Sequence, residues 1–173
     1  MSDSETEQFQ HFVAGCGDRM FRVALALTGG HHAAEDLLQD ALARTYARWR
    51  HVRGDPEAYV RRAMYHSQVT VWRRRSRLRE VPAGNVPDRA DPRDETAATD
   101  SRLQLRQALM RLGPRQRAVL VARYFEDLSD VETANVLGCS ASTVRSQTHR
   151  ALARLREIAP ELAGLHTFRE SVG

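Results

Sequence analysis

Residues 127–156 read DLSDVETANVLGCSASTVRSQTHRALARLR, and this stretch constrains the fold more than any other part of the chain. Ser129 and Glu132 have the spacing of a capping box, so a helix is expected to start there. Gly138 supplies a left-handed stop, and Ser140 can cap a second helix. In that second helix Val144, Thr148, Leu152 and Leu155 recur at helical spacing and are expected to face a core. Arg145, Ser146, His149 and Arg150 fall on the other side, and no acid occurs between Glu132 and Glu157. A capped helix that is polar and purely basic on its free face suits the major groove of DNA, whose phosphates reject carboxylates. The alternative is a solvated helical hairpin, whose outer face would normally mix both signs.

The rest of the chain is helical in pattern, without strand-like alternation. Phe9 to Leu27 carries apolar residues at mostly helical spacing, and Thr28-Gly29-Gly30 breaks it. In Ala33 to Trp49 one stripe holds Ala34, Leu37, Leu38, Ala41, Leu42, Thr45, Tyr46 and Trp49. Asp55 before Pro56 is a good helix start, and the next helix is expected from Glu57 to about Arg77. Residues 78–100 hold three of the six prolines and six acids with few large apolar residues, and are expected to form a flexible acidic linker. A second helical block follows: Leu105, Leu109 and Leu112, then Gly113-Pro114, then Arg115 to Phe125. The expected fold class is all-α, with two small helical domains over residues 7–77 and 101–157, and a short tail over 158–173.

Composition narrows the function classes. The formal net charge is +4 and the sequence has no lysine, so every fixed positive charge is an arginine fork suited to guanine and phosphate. Two cysteines form no CxxC pair, and the polar, acidic start MSDSETEQFQ is the opposite of a signal peptide, so a reducing cytoplasm is expected. No apolar run is long enough to cross a bilayer, and no membrane insertion is expected. His31-His32 is the one histidine cluster, and no spaced Cys, Asp or His partner makes it a metal site.

A second basic helix accompanies the first. Between Glu57 and Glu80 there is no acid; Arg61, Arg62, Arg73, Arg74, Arg75 and Arg77 alternate with Tyr59, Tyr65, His66, Gln68 and Trp72. Arginines neutralise phosphates, and aromatics stack on bases that have left the duplex, so this helix points to opened DNA. Tyr59 and Trp72 suit a core equally well, whereas Tyr65 and His66 are expected on the surface. Asp36 and Asp40, with Gln39 between them, lie on the polar side of the Ala33–Trp49 helix. No nucleophile, glycine-rich phosphate loop or metal-ligand set accompanies them, so neither catalysis nor a cofactor is expected. A protein-docking face is the better reading.

The succession AAEDLLQDALARTYARW (33–49), DPEAYVRRAMYHSQVTVWRRR (55–75), linker, and LGPRQRAVLVARYFEDLSDVETANVLGCSASTVRSQTHRALARLR (112–156) resembles a sigma factor of bacterial RNA polymerase. The resemblance is to the extracytoplasmic-function group of the sigma-70 superfamily, in its actinobacterial SigE-like branch, and covers residues 7 to 157. It implies a sigma-2 domain that binds core polymerase and recognises and melts the minus-ten element, and a sigma-4 domain that reads the minus-thirty-five element. On matching positions, Asp36, Gln39 and Asp40 would dock on the clamp helices of the largest polymerase subunit. Arg61, Arg62, Tyr65, His66, Arg73 and Arg74 would serve minus-ten recognition and melting. Thr143, Arg145, Ser146, Gln147, His149 and Arg150 would meet the minus-thirty-five element. Further implied partners are the flap of the second-largest subunit, promoter DNA and an anti-sigma factor.

His66 stands where relatives commonly carry Asn, and Gln147 where they often carry Arg, so base preference cannot be copied from relatives. The tail after Ala159 is too short for the extra C-terminal domain some groups possess. A stand-alone helix-turn-helix regulator stays open from the residues alone, although it would need no second basic helix. A sigma-like protein without promoter activity stays open as well, on the His66 departure.

Overall fold

The computed structural model describes residues 3–77 and 100–164. Apart from Asp100, the expected linker and most of the tail lie outside them. All the described secondary structure is helical: α1 (Asp3–Thr28), α2 (His31–Ala47), α3 (Pro56–Arg77), α4 (Asp100–Met110), α5 (Pro114–Leu120), a π-helical turn (Val121–Phe125), α6 (Asp130–Leu137) and α7 (Ala141–Ile158). Single 3-10 turns follow α2 and α7.

α1 starts at Asp3, earlier than apolar spacing suggests. Asp3 and Glu5 place negative charge in its first turn, where the helix dipole favours it. The extension is tied down from outside by Arg50, whose Nε lies 2.8 Å from Glu5. Beside it Phe9 meets Tyr46 and Trp49 at ring-centroid distances of 4.9 and 5.1 Å, which pins α1 to the end of α2. Thr28 ends α1 by bonding back to the Ala24 carbonyl at 2.8 Å. Gly29 then takes φ +79°, and a Cβ there would run into the Met110 thioether.

α1, α2 and α3 enclose a core of Met20, Val23, Leu27, Leu37, Val60 and Met64, with Ala24, Ala34 and Ala41 fully buried between them. Alanines at the crossing points let helix axes approach closely. Thr45 is buried in this layer, and its hydroxyl donates to the Ala41 carbonyl at 2.8 Å, so it is not left unpaired. A second cluster of Leu105, Leu109, Leu112, Leu120, Leu155, Ile158 and Leu162 joins α4, α5 and α7.

The two halves are packed against each other. Ala118, Val121, Ala122 and Val136 belong to the same buried cluster as the α1–α3 core, and α3 lies on both α5 and α6. The turn that allows this is the π segment: the Glu126 amide bonds the Val121 carbonyl at 3.0 Å, an i to i−5 step that widens the helix for one turn. Arg117 secures the same seam. It is 5% exposed and has no carboxylate partner among the described residues; its Nη1 donates to the Leu27 carbonyl at 2.8 Å, Nε to Leu109 at 3.1 Å and Nη2 to Leu112 at 3.2 Å. These acceptors sit at the C-terminal ends of α1 and α4, where free carbonyls concentrate negative charge. Burial lowers the Arg117 pKa to about 10, so the guanidinium is still charged at neutral pH.

Gly29 is therefore the position where the first helix pair turns and where α4 comes closest. Gly29→Ala should cost about 1–3 kcal/mol from the left-handed backbone alone, with crowding of Met110 added, and a thermal melt of the full chain checks it.

Candidate nucleic-acid interface

The helix-turn-helix forms as its punctuation predicts. Ser129 Oγ accepts from the Glu132 amide at 3.2 Å while the Glu132 carboxylate accepts from the Ser129 amide at 2.7 Å. That backbone hydrogen bond holds the Glu132 carboxyl below its ordinary pKa. Gly138 adopts φ 67°, and Ser140 Oγ accepts from the Thr143 amide at 3.2 Å to start α7. Val144, Ala151 and Leu155 are buried, with Thr148 and Leu152 half-buried, so the expected inner stripe is the inner stripe.

On the outer side Arg145, Ser146, His149 and Arg150 are exposed, and Thr143 and Gln147 are half-buried. The structure thus presents all six along one side of α7, a single basic rod. Arg145 is partly steered from α6, since its Nη1 lies 3.6 Å from Asp130, which also meets Arg123 Nε at 3.0 Å. The sequence reading missed Asp130, because nothing local distinguishes it from an ordinary first-turn acid.

Asp36, Gln39 and Asp40 are all exposed on α2. Asp40 pairs with Arg44 at 2.7 Å, one turn on, and accepts a long 3.4 Å bond from Ser67. The docking face expected from the sequence is open to solvent.

α3 departs furthest from expectation. Arg62 and His66 are exposed, but Tyr65 is fully buried, which corrects its expected place on the surface. Its phenol donates to Glu126 at 2.7 Å, and burial first, then the Glu126 charge, pushes its pKa well above the usual tyrosine range. Arg61 Nε donates to the same carboxylate at 2.6 Å. Burial works against the Arg61 charge, but Glu126 and Glu57 outweigh it and hold the guanidinium above its ordinary pKa. The Glu126 side chain is only 6% exposed. Arg19 on α1 completes the chain of charges by clasping Glu57, which in turn meets Arg61 at 3.2 Å. His66 lies over the turn, its ring 3.5 Å from where a Cβ of Gly138 would stand. Of the remaining minus-ten candidates, Arg73 and Arg74 lie within α3, and their side chains are outside the described residues.

Among the described residues, His31, His32 and Glu35 bring three ligand atoms within 4.8 Å of one another. They occupy the first turn of α2, whose free amides disfavour a cation, and both imidazoles are already turned to the Glu35 carboxylate at 3.3 and 3.5 Å. No described helix is long and apolar enough to cross a membrane.

Residues 12–78 match Sigma-70 region 2 and residues 108–157 match Sigma-70 region 4. The RNA polymerase sigma-E factor of Streptomyces antibioticus is 43% identical over 159 residues, covering 91% of this chain and 87% of that protein. The chain belongs to the extracytoplasmic-function sigma factors. The ECF RNA polymerase sigma factor SigL of Mycobacterium tuberculosis is 33% identical over 152 residues, 83% of this chain and 84% of that protein. In fold the chain is similar to the sigma factor RpoE crystallised with the anti-sigma factor NepR from Bartonella quintana, with a TM-score of 0.67, 20% identity and coverage of 89% of this chain and 98% of that one.

The Arg19–Glu57 pair makes an acid-sensitive clasp. Glu57 has its carboxyl held below the ordinary range, chiefly by the Arg19 hydrogen bond. Its contribution is present above the unfolded value of about 4.3 and is lost as pH falls through the lower folded value. Glu57→Gln should therefore flatten the loss of thermal stability between about pH 5 and pH 3, as read by melts across that range.

Proposed function

We propose that this sigma factor brings core RNA polymerase to promoters through three separate surfaces: the acidic face of α2, the basic rod of α7 and the arginine-rich α3. Membership of the sigma-70 family supports promoter-directed transcription initiation, and sigma factors are not enzymes; bond formation belongs to the polymerase. The observation that carries the reading is the outer face of α7 from Thr143 to Arg156, which holds no acid before Glu157 in the last turn and is exposed behind a tight capped turn. A rod with that charge and that presentation fits a major groove, with arginine reading guanine or gripping phosphate.

Asp36, Gln39 and Asp40 supply the polymerase contact in this reading, on the clamp helices of the largest subunit. Their exposure supports it, and carboxylates on a helix have no use for DNA. Thr143, Arg145, Ser146, Gln147, His149 and Arg150 meet the minus-thirty-five element. Arg61, Arg62, His66, Arg73 and Arg74 serve the minus-ten element, with Tyr65 available only once the halves separate. The flap of the second-largest subunit and an anti-sigma factor are further partners in the proposal.

Run-off transcription with purified core polymerase on genomic fragments tests the reading directly: specific starts that vanish without this chain support it, and identical starts without it refute it. Asp36→Arg with Asp40→Arg should abolish co-purification with core while leaving the fold intact, as read by far-ultraviolet dichroism. Arg145→Ala should weaken promoter binding by about 1–3 kcal/mol; an equal loss on scrambled DNA would make it a phosphate contact without sequence meaning.

A further inference from the structure

We infer that the Glu126 carboxylate occupies, within the chain itself, an anion site on α3 that a promoter-strand phosphate takes when the two halves separate. The inference rests on the sigma-factor reading for the identity of the phosphate, but not for the lock itself. Three observations carry it. First, the donor set is that of a phosphate site: an arginine Nε at 2.6 Å and a tyrosine hydroxyl at 2.7 Å converge on the two oxygens of one carboxylate. Second, that carboxylate is foreign to the helix it serves. α3 carries no acid after Glu57 along its length, and Glu126 arrives from the other half of the chain, 65 residues from Arg61. Third, the occupant shuts the site: the Glu126 and Arg61 side chains are 6% and 17% exposed, and Tyr65 is fully buried beneath them.

Binding at this site and closure of the two halves are then mutually exclusive. A ligand that needs Arg61 and Tyr65 binds only the open chain, and its affinity is reduced by the fraction that is closed. The closed chain keeps the α2 acids and the α7 basic rod free while withholding the α3 anion site. DNA could be found by α7 first, whereas strand capture on α3 waits for opening.

The test uses the full chain without polymerase, in two measurements. Small-angle scattering reads the radius of gyration, and fluorescence anisotropy reads affinity for a mixed-sequence single-stranded oligonucleotide of about 16 nucleotides. Glu126→Gln should enlarge the radius and tighten oligonucleotide binding by at least about fivefold. Arg61→Gln should enlarge the radius equally yet gain no affinity, because it opens the chain by destroying the site. Exchanging the pair, Arg61→Glu with Glu126→Arg, should return the compact radius if the two side chains hold each other. Far-ultraviolet dichroism shows that each variant is folded, and Tyr65→Phe, which removes only the hydroxyl, should enlarge the radius less than Glu126→Gln does and, lacking one of the two donors, fall short of its affinity gain. Unchanged radius and affinity in both Glu126→Gln and Tyr65→Phe would overturn the lock. Equal affinity gains in Glu126→Gln and Arg61→Gln would show that opening exposes a DNA-binding surface elsewhere and that Arg61 holds no phosphate, which would overturn the anion site. Run-off transcription by the wild-type chain reports separately on the sigma-factor reading, so a failure of either stands apart from the other.

Discussion

A carboxylate buried to 6% exposure must be paired, and the pairing of Glu126 with Arg61 and Tyr65 sets the relative position of the two halves. An ion that loses its water is tolerated only where donors replace the solvent in good geometry. That demand is directional, unlike the apolar contacts around it. The small residues Ala118, Val121, Ala122 and Val136 form a smooth surface that could slide along α3. The charged triad cannot slide, so it fixes register. Arg117 adds a second directional constraint at the far side of the seam by holding the end of α1. Two arginines, one from each half, therefore define a single docking pose.

The arginine-rich character of α3 follows from the same electrostatics. A helix whose free face carries only positive charge is a poor neighbour for α7, which is also basic, and the structure keeps that face of α7 turned to solvent. What meets α3 instead is the acid-bearing end of the π turn and, at its own start, Glu57. The basic rods are thus kept apart while their supports touch. One rod is open and the other is half-covered by a counter-ion of the chain's own making.

Local chemistry was readable in advance, and long-range pairing was not. Ser129, Glu132, Gly138 and Ser140 announced the helix-turn-helix because capping depends on neighbours three or four residues away. The inner stripe of α7 and the outer position of Arg145, His149 and Arg150 followed from a period of 3.6. Tyr65 was placed outside because the apolar rhythm of α3 runs through Val60 and Met64 and leaves the next residue on the border. An aromatic with a hydroxyl satisfies either side, and the partner that drew it inward lies 61 residues away. Arg117 carried a fainter signal. It sits three and four residues before Leu120 and Val121, on the buried side of an apolar run, where a charge must find carbonyls or a counter-ion. Glu126 carried none, since an acid before a helix start is ordinary.

Why a charged lock stands where an apolar one would hold as well is a question of reversibility. Replacing a buried ion pair by well-packed apolar residues is often neutral or stabilising, so strength alone does not explain Arg61 and Glu126. An apolar seam reopens only by exposing its full area to water, at about 25 cal/mol per Å², and no small anion can ease that cost. A carboxylate on an arginine can be displaced by another anion, which returns the donors to full use at once. The second half correspondingly contributes only alanine and valine, Ala118, Val121, Ala122 and Val136, as buried members of this cluster. Partly buried Phe125, Leu128 and Leu137 rim it without being sealed in. A seam of small side chains closed by one displaceable charge is built to be held in a single pose and released by a competitor of the same sign.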